Sequence, residues 1–214
     1  MNRKREVQSS VKDESLIAKR RAQMIRGAVT LFKEKGFHRT TTREIAKASG
    51  FSIGTLYEYI RTKEDVLYLV CDSIYDEVHA RFDALDIEKG TLEVLVTAIG
   101  HYYRLIDDMQ DEFMVMYQES KSLPKDALQY VLNKEMEMVS LFEGLLADCA
   151  ASGELKLTPK EITLAAHHLF VQGQMWAFRR WALRDFTIEE FIELQTQFLL
   201  QGMAGEKISI QGVK

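Results

Sequence analysis

Ahead of several helical stretches of this chain a threonine is followed three positions later by an acid and then by apolar residues: Thr41 with Glu44, Thr62 with Asp65, Thr158 with Glu161, and Thr187 with Glu190. In such a capping box the hydroxyl accepts an orphan backbone N–H and the acid reaches back to the N–H of the threonine, so each pair marks a helix start. Pro159 adds a proline at the first helical position of one of them. Between the starts, apolar residues recur at three- and four-residue spacing, as Ala22, Ile25, Ala28, Val29 and Phe32 do ahead of Gly36. The pattern predicts about nine helices. One runs from Ser15 to Gly36, short ones begin near Thr41 and Ser52, and a long one runs from Thr62 to about Arg81. Others cover about 91–107, 110–120, 125–151, 159–184 and 187–203. With two prolines in 214 residues and no alternating strand pattern, the fold class is all-α.

Composition excludes several classes of function. No apolar run approaches the ~18 residues a membrane span needs. The N-terminus, MNRKREVQSSVKDES, is charged and lacks the apolar stretch of a secretory signal. Cys71 and Cys149 are too few for a disulfide framework and read as buried thiols in a reducing cytoplasm. The chain has no GxSxG, Walker, HExxH or CxxC motif. His167 and His168 are adjacent and point about 100° apart on a helix, which is not a metal-ligand spacing. Neither an enzyme nor a metal or cofactor is expected, and Asp107-Asp108 and Asp111-Glu112 read as solvated acids.

Charge is unevenly distributed. Residues 1–63 carry a net +9 and residues 64–214 a net −13. A basic head on an acidic body points to a polyanionic partner for the head alone.

The head also has the proportions of a helix-turn-helix: a supporting helix, then two short helices joined by A-S-G-F-S. Gly50 can adopt the positive φ of the turn, Ala46 is small at the crossing, and Ile45, Ile53 and Leu56 supply the apolar faces. Ser52, Gly54, Thr55, Tyr57 and Tyr59 read as the outward positions of the third helix. Their hydroxyls and bare backbone can approach phosphates and thymine methyls closely.

The run from Ile25 to Leu67 resembles the DNA-binding domain of the TetR family of bacterial regulators. The resemblance rests on the A…LF…KGF stretch, T-T-x-x-E-I-A-x-x-S-G, G-T-L-Y-x-Y and K-E-D-x-L, and it covers about residues 20–70. It implies double-stranded operator DNA as partner, with Thr41, Thr42 and Arg43 over a phosphate at a helix N-terminus. Ser52, Gly54, Thr55 and Tyr57 would face the major groove, with Tyr57 and Tyr59 near the backbone and Lys63 on a further phosphate. Arg39 and the arm Arg3–Arg5 add general attraction. Glu58 between the two tyrosines and Ile60 depart from the family's pattern.

The same resemblance implies a homodimer through the last two helices, and both carry broad apolar faces. Phe170, Gly173, Ala177, Phe191, Leu194 and Phe198 are the expected interface, drawn from a helix whose Leu164, Leu169, Val171, Met175, Trp176 and Phe178 also wrap more than one face and from a last helix whose stripe includes Leu199. The acidic body would then bind a small effector, apolar or amphipathic, with a fatty acyl-CoA among the candidates. Tyr102, Tyr103, Phe113, Met116, Tyr117, Met138, Phe142, Gln172, Met175 and Trp176 are the expected pocket, although Met and aromatic residues serve a plain core equally well. Arg179, Arg180 and Arg184 beside Trp176 and Trp181 could pair with nearby acids or meet an anionic head group.

The organisation expected is a flexible basic arm (1–14), a DNA-binding domain (15–63), an effector-binding and dimerisation domain (64–204) and a frayed tail (205–214). The function expected is a cytoplasmic, ligand-responsive transcriptional repressor that leaves a palindromic operator when its effector binds. A helical lipid or small-molecule carrier is the alternative, and it would leave the basic head unexplained.

Overall fold

The computed structural model describes residues 6–82 and 90–204. Arg3–Arg5 and the 205–214 tail lie outside them. Among the described residues there are nine α-helices, one 3-10 turn and no strand: α1 Glu14–Lys35, α2 Thr42–Ala48, α3 Ile53–Tyr57, α4 Lys63–Phe82, α5 Leu92–Asp108, α6 Gln110–Glu119, the 3-10 turn Ser120–Ser122, α7 Lys125–Ala151, α8 Pro159–Phe178 and α9 Ile188–Ala204.

The capping signals act as their spacing predicts. Thr41 accepts the Glu44 N–H while the Glu44 carboxylate takes the Thr41 N–H, and Thr158 with Glu161 does the same for α8. Thr62 with Asp65 and Thr187 with Glu190 repeat it for α4 and α9. Glu44 also takes a hydrogen bond from Lys35, and that ammonium together with the Thr41 N–H holds its carboxyl down at about 2. Gly36 and Gly50 have φ of 80° and 73°, which ends α1 and turns the chain between α2 and α3.

Two local expectations fail. Helix α8 stops at Phe178 instead of near Arg184: the Arg179 N–H closes onto Met175 and residues 179–186 coil into successive turns. Trp181 and Leu183 continue the apolar spacing past the true end, so periodicity alone overruns it. Residues 6–13 are also not a loose arm. Val7 is buried and its carbonyl accepts from Arg21, while Ser9 and Ser10 donate to the Glu58 carbonyl.

The body is organised around α5 and α8. Tyr102 stacks on Phe170 at 5.5 Å, Tyr103 meets Phe191 at 5.6 Å, and Trp176 lies 4.8 Å from Phe191. Burial pushes the Tyr102 and Tyr103 hydroxyls up, so both stay protonated and donate to the Phe170 and Leu169 carbonyls. Gly173 permits this approach, since a Cβ there would stand 2.7 Å from the Tyr103 ring.

Candidate nucleic-acid interface and effector chamber

The N-terminal helices present one largely polar, exposed face. Helix α3 buries Leu56 and leaves Ser52, Ile53, Gly54, Tyr57 and Glu58 exposed, with Thr55 half-buried. The Ser52 hydroxyl caps α3 through the Thr55 N–H, and the Thr42 and Tyr57 hydroxyls lie 3.1 Å apart, which joins the α2 N-terminus to the same face. Arg43 is exposed beside them, and exposed Arg39 bonds the Lys35 carbonyl from its Nε. Thr41 is committed to the capping box but remains exposed at the helix end.

Gly54 is informative because the protein does not require it. A Cβ there would meet only the Ser52 hydroxyl at 3.7 Å, an ordinary contact. A bare backbone at an exposed, fold-neutral position suits close approach by another molecule. Gly54→Ala is expected to leave the unfolding midpoint unchanged or raised, by up to about 1 kcal/mol from helix propensity, while weakening duplex binding. Paired denaturation and anisotropy titrations check this; equal affinity in both proteins would take Gly54 out of the contact.

Three residues correct the sequence reading of this face. Tyr59 lies beyond the end of α3, where the turn rotates its ring into the core at 3% exposure, so it is not an outward position. Lys63 is already engaged: its ammonium lies 4.1 Å from the Phe37 ring centre and donates to the carbonyls of Phe37 and Thr40 at 2.8 and 2.9 Å. That ties the α1–α2 loop to the start of α4 and leaves the side chain a structural clamp instead of a free phosphate contact. Ile53 faces outward rather than fixing the helix crossing.

The N-terminal helices are fastened to the body through α6. Lys33 pairs with Asp111 at 2.6 Å, the Phe37 N–H donates to Glu119 at 3.0 Å, and His38 shares a hydrogen bond with Ser122 at 3.2 Å.

The other face of α6 lines a hollow. Met116, Tyr117 and Ser120 of α6 and its end, Val131, Leu132 and Glu135 of α7, and Gln174 and Phe178 of α8 enclose about 240 Å³. Its wall is mostly apolar, with Ser120, Glu135 and Gln174 as its polar residues in addition to the Tyr117 hydroxyl. Gln174 is 8% exposed, and burial pushes the Glu135 carboxyl up, with Gln174 acting in the opposite direction. Tyr75 of α4 reaches this wall, with its hydroxyl donating to the Val131 carbonyl at 3.2 Å and lying 3.5 Å from the Met116 sulfur. A recess of about 120 Å³ lies on α4 and α7, with Tyr75 and Met138 in its lining.

Of the ten expected pocket residues, only Met116 and Tyr117 line this chamber. Tyr102, Tyr103, Phe113, Phe142 and Trp176 are core residues at 2% exposure or less, Met138 lines the recess, and Gln172 faces a groove between α8 and α9. Met175 is half-buried and lines neither. Trp176 instead donates from its indole N–H to Asp107 at 2.7 Å, beneath the Arg180 guanidinium. The sequence reading missed Glu135, although an acid between Val131 and Met138 on one helical stripe was the available signal.

The expected pairing face divides in the same way. Phe170, Gly173, Ala177 and Phe191 pack within the chain, because the α8 face that carries most of them is the one laid on α5. Leu194 and Phe198 are exposed, and so are Leu164 and Val171 on the outer side of α8. Between α8 and α9 runs a groove of about 500 Å³ lined in part by Leu164, His168, Gln172 and Phe198. The buried Gln172 Oε1 finds no partner among the described residues.

Residues 24–68 match the family described as bacterial regulatory proteins, tetR family, and residues 88–177 match the tetracyclin repressor-like C-terminal domain. The chain is 29% identical over 192 residues to the HTH-type transcriptional regulator HbdR of Aromatoleum sp. (strain CIB), covering 87% of this chain and 82% of that protein. It is 26% identical to the HTH-type transcriptional repressor KstR2 of Rhodococcus jostii (strain RHA1), covering 86% and 91%. Its fold superposes on that of AibR in complex with isovaleryl coenzyme A and operator DNA with a TM-score of 0.72, at 18% identity and over 84% and 97% of the two chains. With one match on the α1–α4 head and another on the helical body behind it, the chain belongs to the TetR family of bacterial transcriptional regulators.

Proposed function

We propose that this chain is a homodimeric transcriptional repressor, acting in the cytoplasm, that releases a palindromic operator when a small acyl thioester enters the α6–α7–α8 chamber. Residues 15–63 are the DNA-reading unit, with Arg39, Thr41, Thr42, Arg43, Ser52, Gly54, Thr55 and Tyr57 on its contact face. Residues 64–204 sense the effector and pair the subunits through the outer faces of α8 and α9.

The observation that carries this reading is the double engagement of α6. One side of the helix lines the chamber with Met116 and Tyr117, and the other side and its end grip the DNA-reading head through Asp111, Glu119 and Ser122. A molecule that moves α6 therefore moves α1. Binding can shift the spacing of two DNA-reading heads only through such differential contacts. Tyr75 offers a second route through α4. The effector class is supported by AibR, which has been crystallised with isovaleryl coenzyme A and DNA. A chamber of about 240 Å³ suits a short or compact acyl group, since drug-sized ligands occupy roughly 300–1,000 Å³.

The test is an anisotropy titration of the duplex upstream of this protein's own gene, against random competitor, with and without isovaleryl-CoA. Competitor-resistant binding that the thioester weakens is the expected result, and binding that random duplex abolishes would sink the operator assignment. Glu119→Ala is expected to keep operator affinity within a few-fold and to lose about 5- to 30-fold of the effector-induced drop, the scale of a 1–2 kcal/mol coupling. Glu119→Gln keeps an acceptor oxygen for the Phe37 N–H and should respond as the natural protein does.

A further inference from the structure

The rim of the chamber continues into a surface unlike the rest of the acidic body. Tyr117, 67% exposed, lies ring to ring with Phe178 at 4.3 Å, and both line the chamber. Arg179 follows Phe178 directly and sets its guanidinium 4.8 Å from the ring centre of Trp181, whose side chain is 71% exposed. Trp181 stands three positions after Phe178 in the chain, a span of at most about 10 Å. Arg184, four-fifths exposed, follows Trp181 by three positions in the same run of turns, and among the described residues its ionic contact is at 4.0 Å to an equally open Asp185. Arg180 stands apart, lying 4.4 Å from the buried Trp176 ring and donating to the Leu183 carbonyl, so its role is structural.

An indole exposed to this extent buries little of its surface within its own chain, and the Arg179 guanidinium over its ring, with Arg184 three residues further on, gives the segment a cationic, flat element. Planar bases stack on indoles, and phosphates pair with guanidinium groups through charge-assisted hydrogen bonds. We infer that Trp181, Arg179 and Arg184 form an outer subsite that holds the nucleotide end of a coenzyme A thioester while the chamber holds its acyl end. The inference rests on the proposed reading of the chamber and adds the feature by which a thioester is told from its free acid. The base stacks on Trp181, the phosphates lie against Arg179 and Arg184, and the pantetheine arm crosses the rim at Tyr117 and Phe178.

Calorimetric titration with isovaleryl-CoA and with isovaleryl-N-acetylcysteamine, which carries the same acyl thioester and no nucleotide, separates the two ends. Trp181→Ala and the double variant Arg179→Ser/Arg184→Ser are expected to weaken isovaleryl-CoA at least 10-fold. The truncated thioester should bind all three proteins within two-fold, and dimerisation and operator affinity should not change. Isovaleryl-CoA binding indifferent to the variants overturns the subsite and leaves the chamber standing. Equal loss of both thioesters, or dissociation of the Trp181→Ala dimer, overturns it as well, by making these side chains structural. Free CoA supplies the converse. If it quenches the fluorescence of the natural protein but not of Trp181→Ala, while no acyl thioester releases DNA, the subsite holds and the chamber reading falls. Absence of any binding by CoA and both thioesters overturns both.

Discussion

Trp176→Ala is expected to destabilise the protein by about 3–5 kcal/mol, the cost of emptying a large aromatic site in a closed core. The indole is 1% exposed, rests on Phe191 and gives its N–H to Asp107, which also accepts from Gln110 at the α5–α6 corner. Truncation therefore opens a void and strips a charge-assisted hydrogen bond from the acid. Trp176→Phe refills much of the volume and loses only that bond, so a smaller loss of about 1–3 kcal/mol is expected. Urea unfolding followed by circular dichroism measures both. An unaltered midpoint accompanied by a lost effector response would move Trp176 from the core to the chamber wall.

Val171→Asp combined with Phe198→Glu should give soluble, helical monomers whose operator affinity is lower by about 10²- to 10⁴-fold, because the two half-site contacts are no longer linked. Val171 is 57% and Phe198 62% exposed, and with Leu164 and Leu194 they are exposed apolar residues on two helices whose shared groove Leu164 and Phe198 line. Such a face in water marks an interface, and burying a carboxylate within it without a partner costs several kcal/mol per subunit. Because neither side chain supports the chain's own core, the substitutions should leave the unfolding of each subunit little altered. Light scattering reads the mass and anisotropy reads the affinity. A dimer that persists with both acids in place would put the pairing surface elsewhere.

Much of the helical plan was readable because helix starts are chemically local. Thr158 and Glu161 sit three residues apart and satisfy each other's neighbourhood whatever the rest of the chain does. The end of α8 was not readable in this way: no glycine or proline stands at Arg179, and the apolar spacing runs on to Trp181 and Leu183. The polar outward face of α3 follows from short side chains on a short helix. Tyr59 and Lys63 were misread because their partners come from distant segments: Arg21 and the first residues hold the Tyr59 region, and the Phe37–Thr40 carbonyls take the lysine.

The chamber was the least legible part. Tyr102 and Tyr117 are the same residue type on neighbouring helices, yet one is core and the other lies at an open rim. Which of the two a tyrosine becomes is decided by how closely two helices approach, and here Gly173 decides it by letting α8 come close enough to α5 to close over Tyr102 and Tyr103. The pairing surface was half legible for the same reason, since α8 is apolar on two sides and the sequence does not say which side meets its own chain.

The surface around Gly54 has an evolutionary corollary. Helix α3 is anchored from below by Leu56 and capped by Ser52, whereas a Cβ added at Gly54 would meet only the Ser52 hydroxyl at 3.7 Å. If this face reads DNA as proposed, substitutions at Gly54 are selected mainly on the DNA sequence they admit, with little penalty in folding. Among duplicated copies of such a gene, operator preference is free to diverge in one or two mutational steps, whereas the closely packed α5–α8 seam beneath Gly173 can change only by coordinated replacements on both helices.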